Sequence, residues 1–448
     1  MFRVLIFLAF LVGVREMSSA QLSADRWELV DTVLIDDEFG QSAASLSHVE
    51  CPDQLHCFVA GFTGNVLTLL RATSDRGRTW QTRWADSTVI RGTGDIRFAR
   101  RIRGLAADHL GLVLAALDSG VVLRSTDFGE TWTEVRLPRP GTARDVAIVG
   151  ETVAMVLQDT MIWLSTDRGA TWTNMDILHP LHRLGYSAGS LAARSRSYWM
   201  IPLGRYAGAV YATTATAGAT WSNVGPLDAR WVSRAVLGDF GMGWSVGGDT
   251  TNRRDVVART SDSGASWQAV LDTVPVGRWA HGLLALAVWR NRLILAAGYD
   301  GAVWRSSDAG TTWTPISEGI ATDHPGENIT DIALLDSVTY AAVSTSGAVR
   351  MYRSSITPVA AARDADEVGF PPYITSDGEV AFVDTQRSMF LRVDVFDAIG
   401  RRVPTGPPER LESGRLRIDL NELPAGTYIV RAAGPFGVRC GVVVRSMY

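Results

Sequence analysis

Thr73-Ser74-Asp75-Arg76-Gly77-Arg78-Thr79-Trp80 is an octet that the chain repeats. It returns as Ser125-Thr126-Asp127-Phe128-Gly129-Glu130-Thr131-Trp132, Ser165-Thr166-Asp167-Arg168-Gly169-Ala170-Thr171-Trp172, Thr260-Ser261-Asp262-Ser263-Gly264-Ala265-Ser266-Trp267 and Ser306-Ser307-Asp308-Ala309-Gly310-Thr311-Thr312-Trp313. A sixth copy, Thr214-Ala215-Thr216-Ala217-Gly218-Ala219-Thr220-Trp221, has lost the aspartate. Successive tryptophans are 52, 40, 49, 46 and 46 residues apart. A period of about 40 to 50 residues filled with short strands is the signature of a propeller or array.

Each octet joins two alternating strands, as Gly120–Arg124 and Thr133–Leu137 do around the second copy. It reads as a hairpin turn, because Asp can accept hydrogen bonds from turn N–H groups, Gly can take a positive φ and Ser/Thr can bond locally. The closing Trp can bury its ring between neighbouring sheets while its N–H finds a carbonyl. Two further strands lie upstream, here Gly104–Ala107 and Leu112–Ala116, which makes four antiparallel strands per repeat. After the last octet, Ile329–Leu335, Val338–Val343 and Gly347–Ser354 copy three strands of a blade with no octet following. Trp27-Glu28-Leu29-Val30 matches Trp267-Gln268-Ala269-Val270 and supplies the missing fourth. The expectation is an all-β, seven-bladed β-propeller closed by its N-terminal strand, with no open sheet edge. Seven of the 15 Trp then have one cause.

The octets resemble the Asp box, S/T-x-D-x-G-x-T/S-W, also called the bacterial neuraminidase repeat. The resemblance implies propellers of the kind found in sialidases and other glycosidases, sortilin-like receptors and photosystem II assembly factors. It places the boxes at the periphery, which makes Asp75, Asp127, Asp167, Asp262 and Asp308 structural, together with Trp80, Trp132, Trp172, Trp221, Trp267 and Trp313. Calcium binding is the alternative, but each box offers one acid where a ligand loop needs several.

The 448 residues, 46% hydrophobic and 20% charged, are globular in composition. Lys+Arg 43 against Asp+Glu 47 gives −4, too balanced for a partner such as nucleic acid that is held by a global positive field. There is no lysine, so a Walker lysine and a Schiff-base lysine are both excluded, and no cofactor motif is found. Arg3 and the apolar run Val4–Val14 lead to Ser18 and Ala20, which reads as a secretory signal peptide over residues 1–20. The run is too short to span a bilayer, and no transmembrane segment is expected in the mature chain. In an oxidising compartment, Cys51 and Cys57 bracket a turn and suit a hairpin disulfide, with two separate thiols as the alternative. Cys440 is left without a partner, and no metal site is expected.

The propeller is assigned to 21–355, a linker to 356–369 and a second module to 370–448. In that module Leu391–Val403, Leu416–Arg431 and Val438–Arg445 alternate between Gly/Pro turns, which implies a small Ig-like β-sandwich. Val395–Val403, Leu420–Val430 and the last apolar strand look like the C-terminal sorting domain of the type IX secretion system, with Phe370-Pro371-Pro372-Tyr373 in place of the usual opening. This resemblance implies export by that machinery to the outer-membrane surface or medium of a Bacteroidetes-type bacterium.

A sialidase would need an arginine triad, a Tyr-Glu pair and an acid after an Arg-Ile-Pro signature; the nearest stretch here is Arg101-Ile102-Arg103. Retaining glycosidases need two carboxylates about 5 Å apart, which different blades can supply without a sequence signal. No catalytic residue is assigned. Ligands of propellers gather at the inter-blade loops, where Arg97, Arg101, Arg183, Tyr186, Arg278 and Trp279 suit an anionic or carbohydrate partner. The loops also hold Arg100, Arg103, His179, His182, His281, His324 and Glu327. The leading expectation is a secreted or cell-surface binding propeller with a protein or carbohydrate ligand. A glycoside hydrolase and an assembly-factor-like chaperone of a membrane complex are the alternatives.

Overall fold

A computed structural model describes residues 25–37, 40–64, 66–90, 96–150, 152–158, 161–175, 187–188, 190–195, 197–205, 208–224, 231–238, 241–249, 254–273, 282–320, 324, 326–355, 374–376, 380–384, 392–397, 401–405, 409–410, 415–420, 423–424, 426–434 and 437–445. The chain divides into a unit ending at Thr357 and a second from Pro358 to Tyr448.

The first unit is a seven-bladed β-propeller. Blade 1 runs Ser45–Glu50, Cys57–Thr63, Leu67–Thr73 and Gln81–Ser87; blade 2 runs Ile102–Ala107, Val113–Leu117, Val121–Ser125 and Thr133–Arg136. Blades 3, 5 and 6 repeat this order from Ala143–Val149, Trp231–Leu237 and Leu283–Trp289. In blade 4 the innermost strand comes in two pieces, Ser187–Ala188 and Ala192–Ala193, both paired with Trp199–Arg205. Blade 7 takes Ile329–Leu334, Thr339–Ser344 and Ala348–Arg353 from one end of the sequence and Trp27–Thr32 from the other. That last strand pairs antiparallel from Trp27 opposite Tyr352 to Thr32 opposite Ala348.

Each blade is covered on both faces by its neighbours, so its middle strands are apolar runs without alternation. Val113–Leu117 and Leu293–Gly298 are buried along their whole length. Val59 and Leu69 of blade 1 share a core with Val343 and Met351 of blade 7. Burying each such side chain stabilises the ring by about 1.5–3 kcal/mol.

The octets form the turns between third and fourth strands. In the second, the Ser125 hydroxyl donates to Asp127 Oδ1 at 2.7 Å and accepts from Gly129 N at 2.8 Å, while Thr131 donates from its N (2.9 Å) and its hydroxyl (2.6 Å) to the same carboxylate. The residue before each glycine has positive φ, from Arg76 at 65° to Ala309 at 61°. The glycine abuts the preceding blade: a Cβ on Gly129 would lie 3.1 Å from the Phe58 ring, and one on Gly169 2.9 Å from Leu114. The box is thus a turn and a spacer between blades. In the sixth copy the Thr216 hydroxyl replaces the carboxylate and accepts from Thr220 N at 2.8 Å. Trp132 and Trp313 donate to the carbonyls of Gly129 and Gly310. The indole N–H groups of Trp80, Trp172 and Trp267 are buried without a hydrogen bond, a departure from the expected carbonyl partner. Burial of the ring area outweighs the lost bond there.

Six innermost strands share an irregularity that the sequence pattern does not announce. Their register slips at residue 47, 103, 144, 233, 284 or 330, a β-bulge in every blade but the fourth. Bulges re-aim the side chains that follow them. Here those residues are His48, Gly104, Asp145, Arg234, Ala285 and Asp331. Gly104 is required by a close approach, since a Cβ would meet Val146 N at 2.7 Å.

Cys51 and Cys57 form a disulfide that ties the first two strands of blade 1. In the second unit two antiparallel four-stranded sheets form, one from Ile374–Ser376, Val380–Asp384, Arg415–Asp419 and Glu409–Arg410, the other from Arg402–Val403, Arg392–Asp397, Gly426–Gly434 and Gly437–Arg445. Val395, Ile418, Leu420, Tyr428 and Val430 are buried in it. Cys440 stands on the last strand.

Candidate functional site

The innermost strands bring charge to the axis of the ring. Asp331 of blade 7 accepts from Val49 N of blade 1 at 3.1 Å and meets Arg234 of blade 5 at 3.4 Å. Asp145 of blade 3 accepts from Leu191 N of blade 4 at 2.8 Å and from Val146 N at 2.9 Å. His48 Nε2 lies 3.0 Å from the Arg103 carbonyl of blade 2, and the Ser233 hydroxyl donates to Leu283 O of blade 6 at 2.8 Å. Post-bulge polar groups therefore stitch neighbouring blades together.

Three carboxylates, Glu50, Asp145 and Asp331, face one guanidinium. Burial within the ring, then the Asp331 charge, push the Glu50 carboxyl up to about 8. Burial also raises Asp145 and Asp331, against the pull of Arg234. His48 is held down at about 3, first by burial and then by Arg234, so its imidazole is neutral. A cavity of about 230 Å³ opens among these strands, lined by Glu50, Asp145, Ser190 and Arg234 and by apolar residues such as Ala106 and Ala192. Among the described residues no set of three or more His, Cys, Asp or Glu is placed to hold a metal ion.

A second charged region lies at the end of the ring where the inter-blade loops run. Antiparallel order puts these loops and the turns between second and third strands at one end, and the boxes at the other. Arg97 reaches Asp86 at 3.0 and 3.1 Å, and Arg100 bridges Asp86 at 3.0 Å and Glu134 at 2.7 Å. Burial raises the Asp86 carboxyl, but the bonds from Arg97 and Arg100 outweigh it and leave it low. Arg101 lies 4.2 Å over the Phe62 ring and donates to Gly64 O at 2.9 Å. Arg103 is 3.7 Å from Asp118, and Phe98 is 57% exposed between these arginines. Three arginines thus meet three acids here, while Arg101 packs on the Phe62 ring.

Of the loop residues singled out in the sequence, the structure brings Arg97 and Arg101 together with Arg100 and Arg103. Arg183, Tyr186, Arg278 and Trp279 lie outside the described residues, as do His179, His182 and His281. Glu327 is no loop ligand: it is buried in an ion pair with Arg350 at 2.8 Å. The box aspartates stay at the periphery, bonded to their own turns. The channel residues were missed because each stands alone in its own repeat, and only ring closure assembles them. The break in alternation at each bulge was the one local signal.

The family described as photosynthesis system II assembly factor YCF48 matches residues 21–353. A solved structure described as YCF48 bound to D1 peptide superposes with a TM-score of 0.54 at 17% identity, covering 76% of this chain and 98% of that one. YCF48 from Cyanidioschyzon merolae superposes with a TM-score of 0.52 at 17% identity, covering 73% and 98%. A search of curated proteins finds no match.

Proposed function

Since the chain belongs to the photosynthesis system II assembly factor YCF48 family, we propose that it is a non-catalytic propeller that captures an exposed acidic peptide of a partner protein and works as an assembly-factor-like chaperone. Membership of that family across the whole ring carries the reading and favours it over a carbohydrate receptor or a glycosidase. The solved relative bound to a D1 peptide shows that a propeller of this build can take a peptide. The arginines at the loop end supply matching chemistry, since guanidinium forks pair with carboxylates and stack on rings. Arg97 and Arg103 keep 47% and 42% of their side chains exposed, so a peptide carboxylate can compete for them. In the same reading, residues 1–20 direct export, and 370–448 form an Ig-like sorting domain for the type IX machinery, so the propeller would work at the outer-membrane surface or in the medium.

The test is fluorescence anisotropy with short labelled peptides of graded charge. Acidic peptides are expected to bind with steep salt dependence, and Arg101→Ala with Arg103→Ala is expected to weaken them severalfold. Failure of every acidic peptide to bind, or binding indifferent to salt and to the double substitution, overturns the reading.

A further inference from the structure

The cavity on the ring axis holds an unequal set of charges. Glu50 and Asp145 line it against Arg234, whose charge is also shared by Asp331 beside the cavity, and His48 on the Glu50 strand adds no charge. The remaining neighbour from blade 2, Arg103, points its charge toward Asp118. Asp145 and Asp331 are each bonded to two backbone N–H groups, which holds them in place. Glu50 makes no hydrogen bond among the described residues, and its carboxylate borders the cavity. Ser190, 4% exposed, lines the same space with a hydroxyl that has no hydrogen-bond partner. Both groups therefore border one cavity without a hydrogen-bond partner among the described residues. A buried hydroxyl such as that of Ser190 is rarely left so, because it costs about 1–3 kcal/mol.

We infer that this cavity is a binding site for an organic cation, a guanidinium or alkylammonium group, that donates to Glu50 and Ser190 while its alkyl stem lies along Ala106 and Ala192. A metal ion is a poor fit because the carboxylates do not form a ligand set. An anion would face the carboxylates of Glu50 and Asp145. The volume of about 230 Å³ admits a side-chain-sized group. In its absence Glu50 carries a proton at neutral pH, pushed up to about 8 by burial and Asp331, and that proton stands in for the missing positive charge. Binding must expel it. The cation can come from a free small molecule or from a basic side chain of a peptide threaded into the channel, and the two sources are separable by experiment. The inference does not rest on the peptide reading above, which uses the loop end.

Isothermal titration of the full-length protein with N-acetyl-arginine amide, and separately with an extended glycine pentapeptide carrying a central arginine, tests it. The guanidinium stays charged throughout, so any pH dependence belongs to the protein. Affinity is expected to rise about tenfold from pH 7 to pH 9, with release of about one proton at pH 7, as linkage to a group titrating near 8 requires. Glu50→Gln is expected to lose the proton release and at least about tenfold in affinity at pH 9 while keeping the β-sheet circular dichroism of the parent. Arg78→Ala, an exposed side chain on a box turn that lines neither the cavity nor the loop end, is expected to leave the titration unchanged. Binding of both probes assigns the site to the free cation, and binding of the peptide alone assigns it to a threaded side chain. Absence of heat from both probes at pH 9, or binding that Glu50→Gln leaves intact, overturns the inference.

Discussion

Asp127 and Glu50 show how the same functional group is used in opposite ways by one fold. Hydrogen bonds from Ser125 and Thr131 hold the Asp127 carboxyl down at about 2, and Asp167 and Asp262 behave alike. A depressed folded value means that these turns add stability above the unfolded carboxylate range, which is lost as pH falls through about 2. Glu50 has the reverse sign. Its folded value of about 8 lies above the unfolded one, so its contribution is complete below about pH 4 and is lost as pH rises through about 8. Glu50→Gln is therefore expected to melt higher than the parent by a margin that grows from pH 5 to pH 9 and then levels off. Thermal melts of both proteins across that range check this; a constant margin means that Glu50 does not titrate there.

At the scale of elements, the strand Trp27–Thr32 is fastened by more than its ladder. Asp31 meets Arg71 of blade 1 at 2.9 Å, with only 6% and 1% of the two side chains exposed. The Trp27 indole donates to Ile316 O of blade 6 at 2.7 Å, and the Asp25 carboxylate receives Ser355 N at 2.9 Å. One strand thus touches both neighbours of its own blade. Asp31→Ala leaves the Arg71 charge buried without its partner, and a loss of about 3–5 kcal/mol is expected in urea unfolding. An effect below about 1 kcal/mol implies that Arg71 relaxes onto Trp80 O and Thr82, which it already contacts. The blade count and this closure were legible in the sequence because the box is local: Asp, Gly and Thr within eight residues fix one turn, and Trp27 copies the residue that follows it. The channel was not legible. Asp145, Arg234 and Asp331 meet across the ring, and a one-residue bulge on each strand decides which side chains face inward.

For the whole molecule, the division at Thr357 separates ring from tail. The buried clusters of the ring are built from its own blades, so removal of residues 370–448 is expected to leave its melting transition in place. In the native host the same deletion is expected to leave the protein unexported under the sorting reading. Calorimetry and fractionation measure the two effects separately; a lowered transition means that the tail supports the ring, and unchanged surface or medium levels remove the sorting role.

The split blade also sets an order of events. Trp27–Thr32 leaves the ribosome more than three hundred residues before its sheet partner Ala348–Arg353. Until then Trp27–Thr32 is an unpaired β-segment with no sheet edge to join. Loop-closure entropy over such a separation makes this contact slow. The ring is thus a length check on its own translation: a chain truncated anywhere before Ala348 cannot latch, and it offers proteases and chaperones a free strand that the closed ring conceals.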